Sequence, residues 1–276
     1  MKTEQWQHPL IRTTNRRLSR RLFVLGAGST AAVVAFPGAR SAIAASATQP
    51  GTPAPTALPR SGITGDEDAV KLLNTAAQAM AALKTFHFDV ETTRGQSSAM
   101  GLNLKQISGD VQRPLDFQTD ISVDIPFGSI TVRAVGVNGK FYIQDPFSKT
   151  ESWKTFNASS DILALVNPDV IILMAINLIS GAKIDGSEKF DGAEAQRITG
   201  SVDFKSVAQK LGGNATALTD QLAQGPIPVT TWVSKDNMIL GIEIDGPLLA
   251  AEADNVVRLV TFSAFNQPVT IEAPKI

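Results

Sequence analysis

The sequence predicts an α+β domain built on a single large antiparallel sheet. Three observations carry this. Apolar and polar residues alternate over many short segments, "TFHFDVETT" and "LDFQTDISVDI" among them, and a period of two marks strands with one buried face. Two-residue turn signals join neighbouring segments at Asn138-Gly139, Asp191-Gly192 and Asp236-Asn237. Helical patterns come in blocks between groups of strands rather than alternating with them, so a parallel nucleotide-type sheet is not expected.

The elements follow in order. Residues 1–47 read as an export leader. "LSRRLFVLG" sets Arg20 and Arg21 in the S-R-R-x-F-x-L order of a twin-arginine signal, followed by a short apolar segment and small-residue sites at 42–47. Export through that route would place the mature chain outside the cytoplasm. "GAGSTA" in the same stretch has dinucleotide-loop spacing, but arginines precede it and no acidic residue follows before Asp66. Residues 48–65, rich in proline and glycine, read as a linker, and 66–276 as one domain.

Asp66-Glu67-Asp68 opens a helix over 67–83, with acidic charge at the positive end of its dipole. Strands are expected at 85–93, 101–112, 115–125, 129–137, 139–145 and 151–156. Two helices interrupt them. One runs from Ser159 or Ser160 to Val166. The other is capped by Asn167, starts at Pro168 and ends before Gly181. A hairpin around Asp191-Gly192 follows, then helices over 204–211 and 215–224. "PVTTWVSK", "MILGIEID", "VVRLVTFSAF" and a terminal "VTIEAP" complete the strands.

Several chemistries are excluded. There is no cysteine, so disulfides, thiolate metal sites and a cysteine nucleophile are absent. Removal of residues 1–47 leaves 18 Lys+Arg against 25 Asp+Glu, which argues against nucleic acid. The mature chain has one histidine, His87, expected as a solvent-facing strand residue. No metal-ligand spacing and no cofactor motif is present. Asp120 and Asp124 share a strand face, which keeps a carboxylate-dependent hydrolase as a minor alternative.

The segment "NPDVIILMAINLISGA", residues 167–182, stands apart. Between Val170 and Ile179 only Asn177 is polar. A helix of this length reaches about 20 Å, too short to cross a bilayer. It is either a buried core helix or the wall of an apolar cavity.

Three stretches carry a family resemblance: "DAVKLLNTAAQAMAALKTFHFDVE", "NPDVIILMAINLISGAKIDGSEKFDGAEAQRITGSVDF" and "PVTTWVSKDNMILGIEI". Over residues 66–274 the chain resembles the LppX/LprG-type lipoprotein family, whose fold is similar to the LolA and LolB carriers. The resemblance implies a half-barrel: a curved sheet wrapping helices on its concave face, with an apolar cavity between them. It implies binding of an acylated lipid or glycolipid, no enzyme activity and no cofactor. The cytoplasmic membrane surface is a second candidate contact. The family's lipobox cysteine is missing here, so a cysteine-linked lipid anchor is not expected. A filled-core envelope scaffold or regulator remains the alternative.

On this reading the cavity wall is assigned to Ile171, Ile172, Leu173, Met174, Ile176 and Ile179 from the helix. Phe86, Phe88, Phe117, Ile121 and Val123 face them from the sheet. Met174 suits an irregular ligand because its thioether is flexible. Asn177 would meet backbone or a headgroup.

Overall fold

Two-residue periodicity after Leu83 becomes one continuous sheet. The computed structural model describes residues 62–99, 102–148, 152–156, 168–211 and 219–276. The leader with Arg20 and Arg21, the linker up to residue 61, and the helix expected at 160–166 lie outside them.

Helix α1 (Glu67–Ala82) is followed by β1 (Thr85–Arg94), β2 (Ser97–Ala99), β3 (Leu102–Gln112), β4 (Asp116–Ile125), β5 (Gly128–Val137), β6 (Lys140–Gln144) and β7 (Trp153–Phe156). Helix α2 (Pro168–Ile176), β8 (Ser180–Phe190), β9 (Ala193–Val202) and helix α3 (Phe204–Leu211) come next. β10 (Ile227–Ser234), β11 (Ile239–Asp245) and β12 (Val257–Ser263) complete the sheet. The lateral order is β7-β6-β5-β4-β3-β1-β12-β11-β10-β9-β8, with β2 extending the β1 side of β3. Every strand pair is antiparallel, and the path does not close. Among the described residues the sheet is therefore an open half-barrel whose outermost strands are β7 and β8.

Both edges are blunted, as exposed strand edges invite pairing with other chains. The described part of β7 is four residues long. β8 is covered by the segment before α1: Thr64 N–H donates to Ile179 O at 3.1 Å, Ala182 N–H to Thr64 O at 2.7 Å, and Asp66 N–H to Ala182 O at 2.8 Å.

The register defines two ends. The β2–β3 and β4–β5 turns and the loop 246–256 lie at one end, here called upper. The turns at 113–115, 138–139 and 191–192 lie at the lower end. Helix α1 seals the concave face with Ala69, Leu73, Ala76, Ala77 and Met80, all buried. The lower half of that face is filled with aromatic rings. Phe86 meets Phe262 edge to face at 6.1 Å, and Phe117 lies 6.2 Å from Phe141. Gly136 opposes Phe117, and a Cβ there would fall 2.3 Å from its ring. Each such side chain contributes about 1.5–3 kcal/mol by leaving water.

Arg113 binds the lower end together. It donates to the carbonyls of Met80, Ala81 and Leu83 at the end of α1. It also makes a two-pronged pair with Asp169 in the first turn of α2, at 2.8 and 2.7 Å. The guanidinium lies 5.4 Å from the centre of the Phe86 ring.

Three expected elements differ. Helix α2 ends at Ile176 rather than near Gly181. Asn177 turns its side chain back to Leu173 O at 2.8 Å, and the chain enters β8 at Ser180. Gly181, with φ of 64°, sits in the strand start beside a register shift. The helix expected over 215–224 is not formed where the chain is described: Thr219–Gln221 is a turn and Leu222 bridges Leu249. Residues 215–218 lie outside the described part. The terminal "VTIEAP" adds no strand. Val269 and Ile271 instead pack on the convex face against Val135, Val137 and Tyr142. Its alternation reflects burial against one surface, which a strap achieves as well as a strand.

Candidate functional site

Among the described residues the upper half of the concave face is not filled. A cavity of about 340 Å³ lies between the sheet and α2. Helix α2 contributes Ile172, Ala175 and Ile176, and Ile179 continues the same stripe past its end. Phe88 and Val90 come from β1, Leu104 and Ile107 from β3, Thr119 and Ile121 from β4. The far side is built from Val229, Ile242, Ile244 and Val260, with Val202, Phe204 and Leu248 toward the upper end. Among the described residues the wall is apolar except at Thr119 and Arg258. The volume falls in the usual range of small-ligand sites.

Five of the residues singled out in the sequence meet here: Ile172, Ile176, Ile179, Phe88 and Ile121. Phe86 and Phe117 share their strands' inner faces but sit two positions lower, inside the ring-filled core. Leu173 and Met174 are partly buried and pack against the main core, off the stripe that faces the cavity. A helix presents residues i, i+3, i+4 and i+7 to one side, which selects 172, 175, 176 and 179. Val123 is buried but does not line the space. The side chain of Ile171 lies outside the described part. Asn177 is buried and spends its amide on Leu173 O.

The far wall from β10 to β12 was legible in principle. Val229 alternates with polar neighbours in "PVTTWVSK", just as Phe88 does in β1. Arg258 was not legible: alternation sets it on the face of Val260 and Phe262, but Val257 and Leu259 make the other face of "VVRLVTF" apolar as well, so the pattern does not say which face turns inward.

His87 lies on the convex face, half-buried rather than free in solvent. Its Nδ1 is 2.8 Å from Asp110, and its Nε2 is 3.2 Å from Asp89 and 3.3 Å from Ser108 Oγ. Serine, imidazole and carboxylate in that order look like a nucleophile, base and orienting group. The Asp89 carboxylate defeats that role. Its hydrogen bond, with help from Asp110 and against the cost of burial, raises the His87 pKa to about 9. The imidazolium has no lone pair with which to take the Ser108 proton at neutral pH. Asp120 and Asp124 do not converge either. Each is bonded to its own neighbour, Arg133 at 2.9 Å and Ser129 respectively. No metal-ligand cluster occurs among the described residues.

The raised pKa sets a pH dependence. A group whose folded pKa lies above its unfolded 6.5 stabilises the fold fully below 6.5, and that contribution is lost as pH rises through 9. Solvent around the ring keeps it to about 1–2 kcal/mol. Melting temperature should therefore fall between pH 6.5 and 9.5, and His87→Gln should flatten that slope. Parallel slopes in the two proteins would remove His87 as its source.

With this geometry the chain can be placed. Residues 68–271 match the LppX_LprAFG lipoprotein family. The chain belongs to that family. It is 27% identical over 271 residues to the lipoarabinomannan carrier protein LprG of Mycobacterium bovis (strain BCG / Pasteur 1173P2), covering 95% of this chain and 99% of that one. The structure is similar to that of LprF from Mycobacterium bovis, with a TM-score of 0.55 and 17% identity over 76% of this chain and 99% of that one. It is also similar to that of LppX from Mycobacterium tuberculosis, with a TM-score of 0.52 and 18% identity over 75% and 100%. The half-barrel expected from the resemblance is the fold observed.

Proposed function

We propose that this protein is an exported carrier that hides the acyl chain of a lipid or glycolipid in the cavity beneath α2. The unfilled, apolar upper half of the concave face carries this reading. A scaffold with a packed interior would need no such space, since an empty apolar cavity costs stability in proportion to its volume. The carrier name borne by the LprG relatives supports it.

Size sets the ligand's scale. A methylene takes up about as much room as a water molecule, roughly 30 Å³, so the cavity accepts about eleven of them. At about 0.8 kcal/mol each, the gross gain is on the order of 9 kcal/mol before association costs. One chain fits, and further chains would need the wall to move or would extend through the opening. Among the described residues no helix is long and apolar enough to cross a membrane. Export by the Arg20-Arg21 signal and release without a cysteine anchor belong to this proposal, as does loading at the cytoplasmic membrane surface.

Organic extraction and mass spectrometry of the purified chain should recover co-purified acylated lipid, and the delipidated protein should take up labelled lipid from vesicles. Neither lipid recovery nor uptake would leave the carrier reading without support.

A further inference from the structure

We propose that Arg258 is a recognition site for the anionic group of the ligand, a phosphate or carboxylate next to the acyl chain, and that Glu252 occupies the site in its absence. The proposal rests on the carrier reading and narrows its ligand class.

Arg258 is the one charged residue on the cavity wall among the described residues. Its strand position follows the inward alternation of Val260 and Phe262, where an aliphatic residue would complete the wall. Its side chain is only 4% exposed. A guanidinium in such a place is costly unless paired, and buried ion pairs are often replaceable by apolar residues without loss of stability. Stability alone does not call for it.

The pairing is arranged around a carboxylate. Arg258 donates to Ser97 Oγ at 3.1 and 2.8 Å, to Gly246 O at 3.3 Å, and to Glu252. The other oxygen of Glu252 accepts from Leu248 N–H at 2.9 Å and Leu249 N–H at 3.1 Å. Ser97 Oγ donates to Glu252 at 3.1 Å. Guanidinium, hydroxyl and two backbone N–H groups converging on one carboxylate make an anion-binding nest. Glu252 belongs to the loop after β11, not to the sheet. That loop also sets Leu248 against the cavity and is tied to the segment before β10 by Ala223 N–H to Leu248 O at 2.9 Å.

A ligand chain lying along Val260 and Ile244 brings its polar end to Arg258. Its anion exchanges with Glu252, so the guanidinium keeps a charge partner and Glu252 swings to solvent with the loop. A neutral acylglycerol has nothing to exchange and leaves the pair closed. The cavity therefore favours anionic amphiphiles.

The test uses the delipidated full chain, with phosphatidic acid and diacylglycerol of identical acyl chains as probes and inorganic phosphate as a third arm. Wild type should bind phosphatidic acid more tightly than diacylglycerol. Glu252→Gln removes the internal competitor and should raise that preference by at least about fivefold. The double variant Arg258→Met, Glu252→Gln should abolish it, with thermal melts reporting folding. If the double variant does not fold, Glu252→Gln decides alone. Uptake of both lipids with no preference, unchanged in Glu252→Gln, overturns the Arg258 site and leaves the carrier reading standing. Uptake of neither removes the carrier reading itself. Phosphate alone that protects Glu252→Gln as well as phosphatidic acid does would overturn the headgroup assignment in favour of a free-anion site.

Discussion

Replacing Arg113 with alanine is expected to destabilise the fold by about 3–5 kcal/mol, the usual cost of removing one partner from a buried ion pair. Four consequences act together. Asp169, 8% exposed, keeps its charge without the guanidinium partner. The carbonyls of Ala81 and Leu83 lose the guanidinium donor at the end of α1, and Met80 O keeps the Leu83 N–H at 3.3 Å. These are among the carbonyls a helix leaves without an internal partner. The ring of Phe86 loses its cation. The first turn of α2 loses its link to α1. Urea unfolding followed by tryptophan fluorescence would report the change as a lower midpoint. Asp169→Asn should cost less, because it keeps an acceptor for one prong while removing the charge. A double change of Arg113→Met with Asp169→Leu should recover much of the loss, since it leaves no buried charge. A loss below about 1 kcal/mol for Arg113→Ala would show that the lower end is held by its aromatic packing alone.

Arg113 and Asp169 also show where sequence reading stops. They lie 56 residues apart, in a turn and at a helix start, and nothing in either local pattern names the other. Periodicity reports which face of a strand is buried, and on that basis most of the strands along the chain and the α+β class were legible, though not β2. It does not report height along the barrel. Phe86 and Phe88 are two residues apart on one face, yet one is packed in the aromatic core and the other borders empty space. What separates them is the level at which α1 and Phe262 fill the sheet, a property of elements nearly two hundred residues apart. The helix posed the same problem. An apolar run such as "VIILMAINLI" has no polar face to orient it, so Leu173 and Ile172 look equivalent until the sheet is in place. The strap at Val269 and Ile271 was legible as half-buried but not as unpaired, because one-sided burial and strand pairing leave the same alternation.

Ala175→Trp should separate cavity wall from core most cleanly. Ala175 sits between Ile172 and Ile179 on the stripe that faces the cavity, and it is only partly covered. An indole there enters space that is already empty, so it need not displace neighbours. Filling a cavity commonly adds about 0.5–2 kcal/mol to stability, and the melting temperature should hold or rise. Ligand binding should suffer in proportion to the volume taken. Loss of room for about five methylenes removes on the order of 4 kcal/mol of gross burial, which is a drop in affinity of several hundredfold. Leu173→Trp is the informative contrast. Leu173 does not line the cavity and, partly buried, packs against the main core, where added bulk costs up to about 1–3 kcal/mol. It should therefore lower the melting temperature while uptake by the folded fraction stays near wild type. Lipid uptake from vesicles and thermal melts on the two variants give opposite patterns if the space beside α2 holds the ligand. A folded Ala175→Trp protein that takes up lipid as well as wild type would move the binding site elsewhere and return α2 to a structural role.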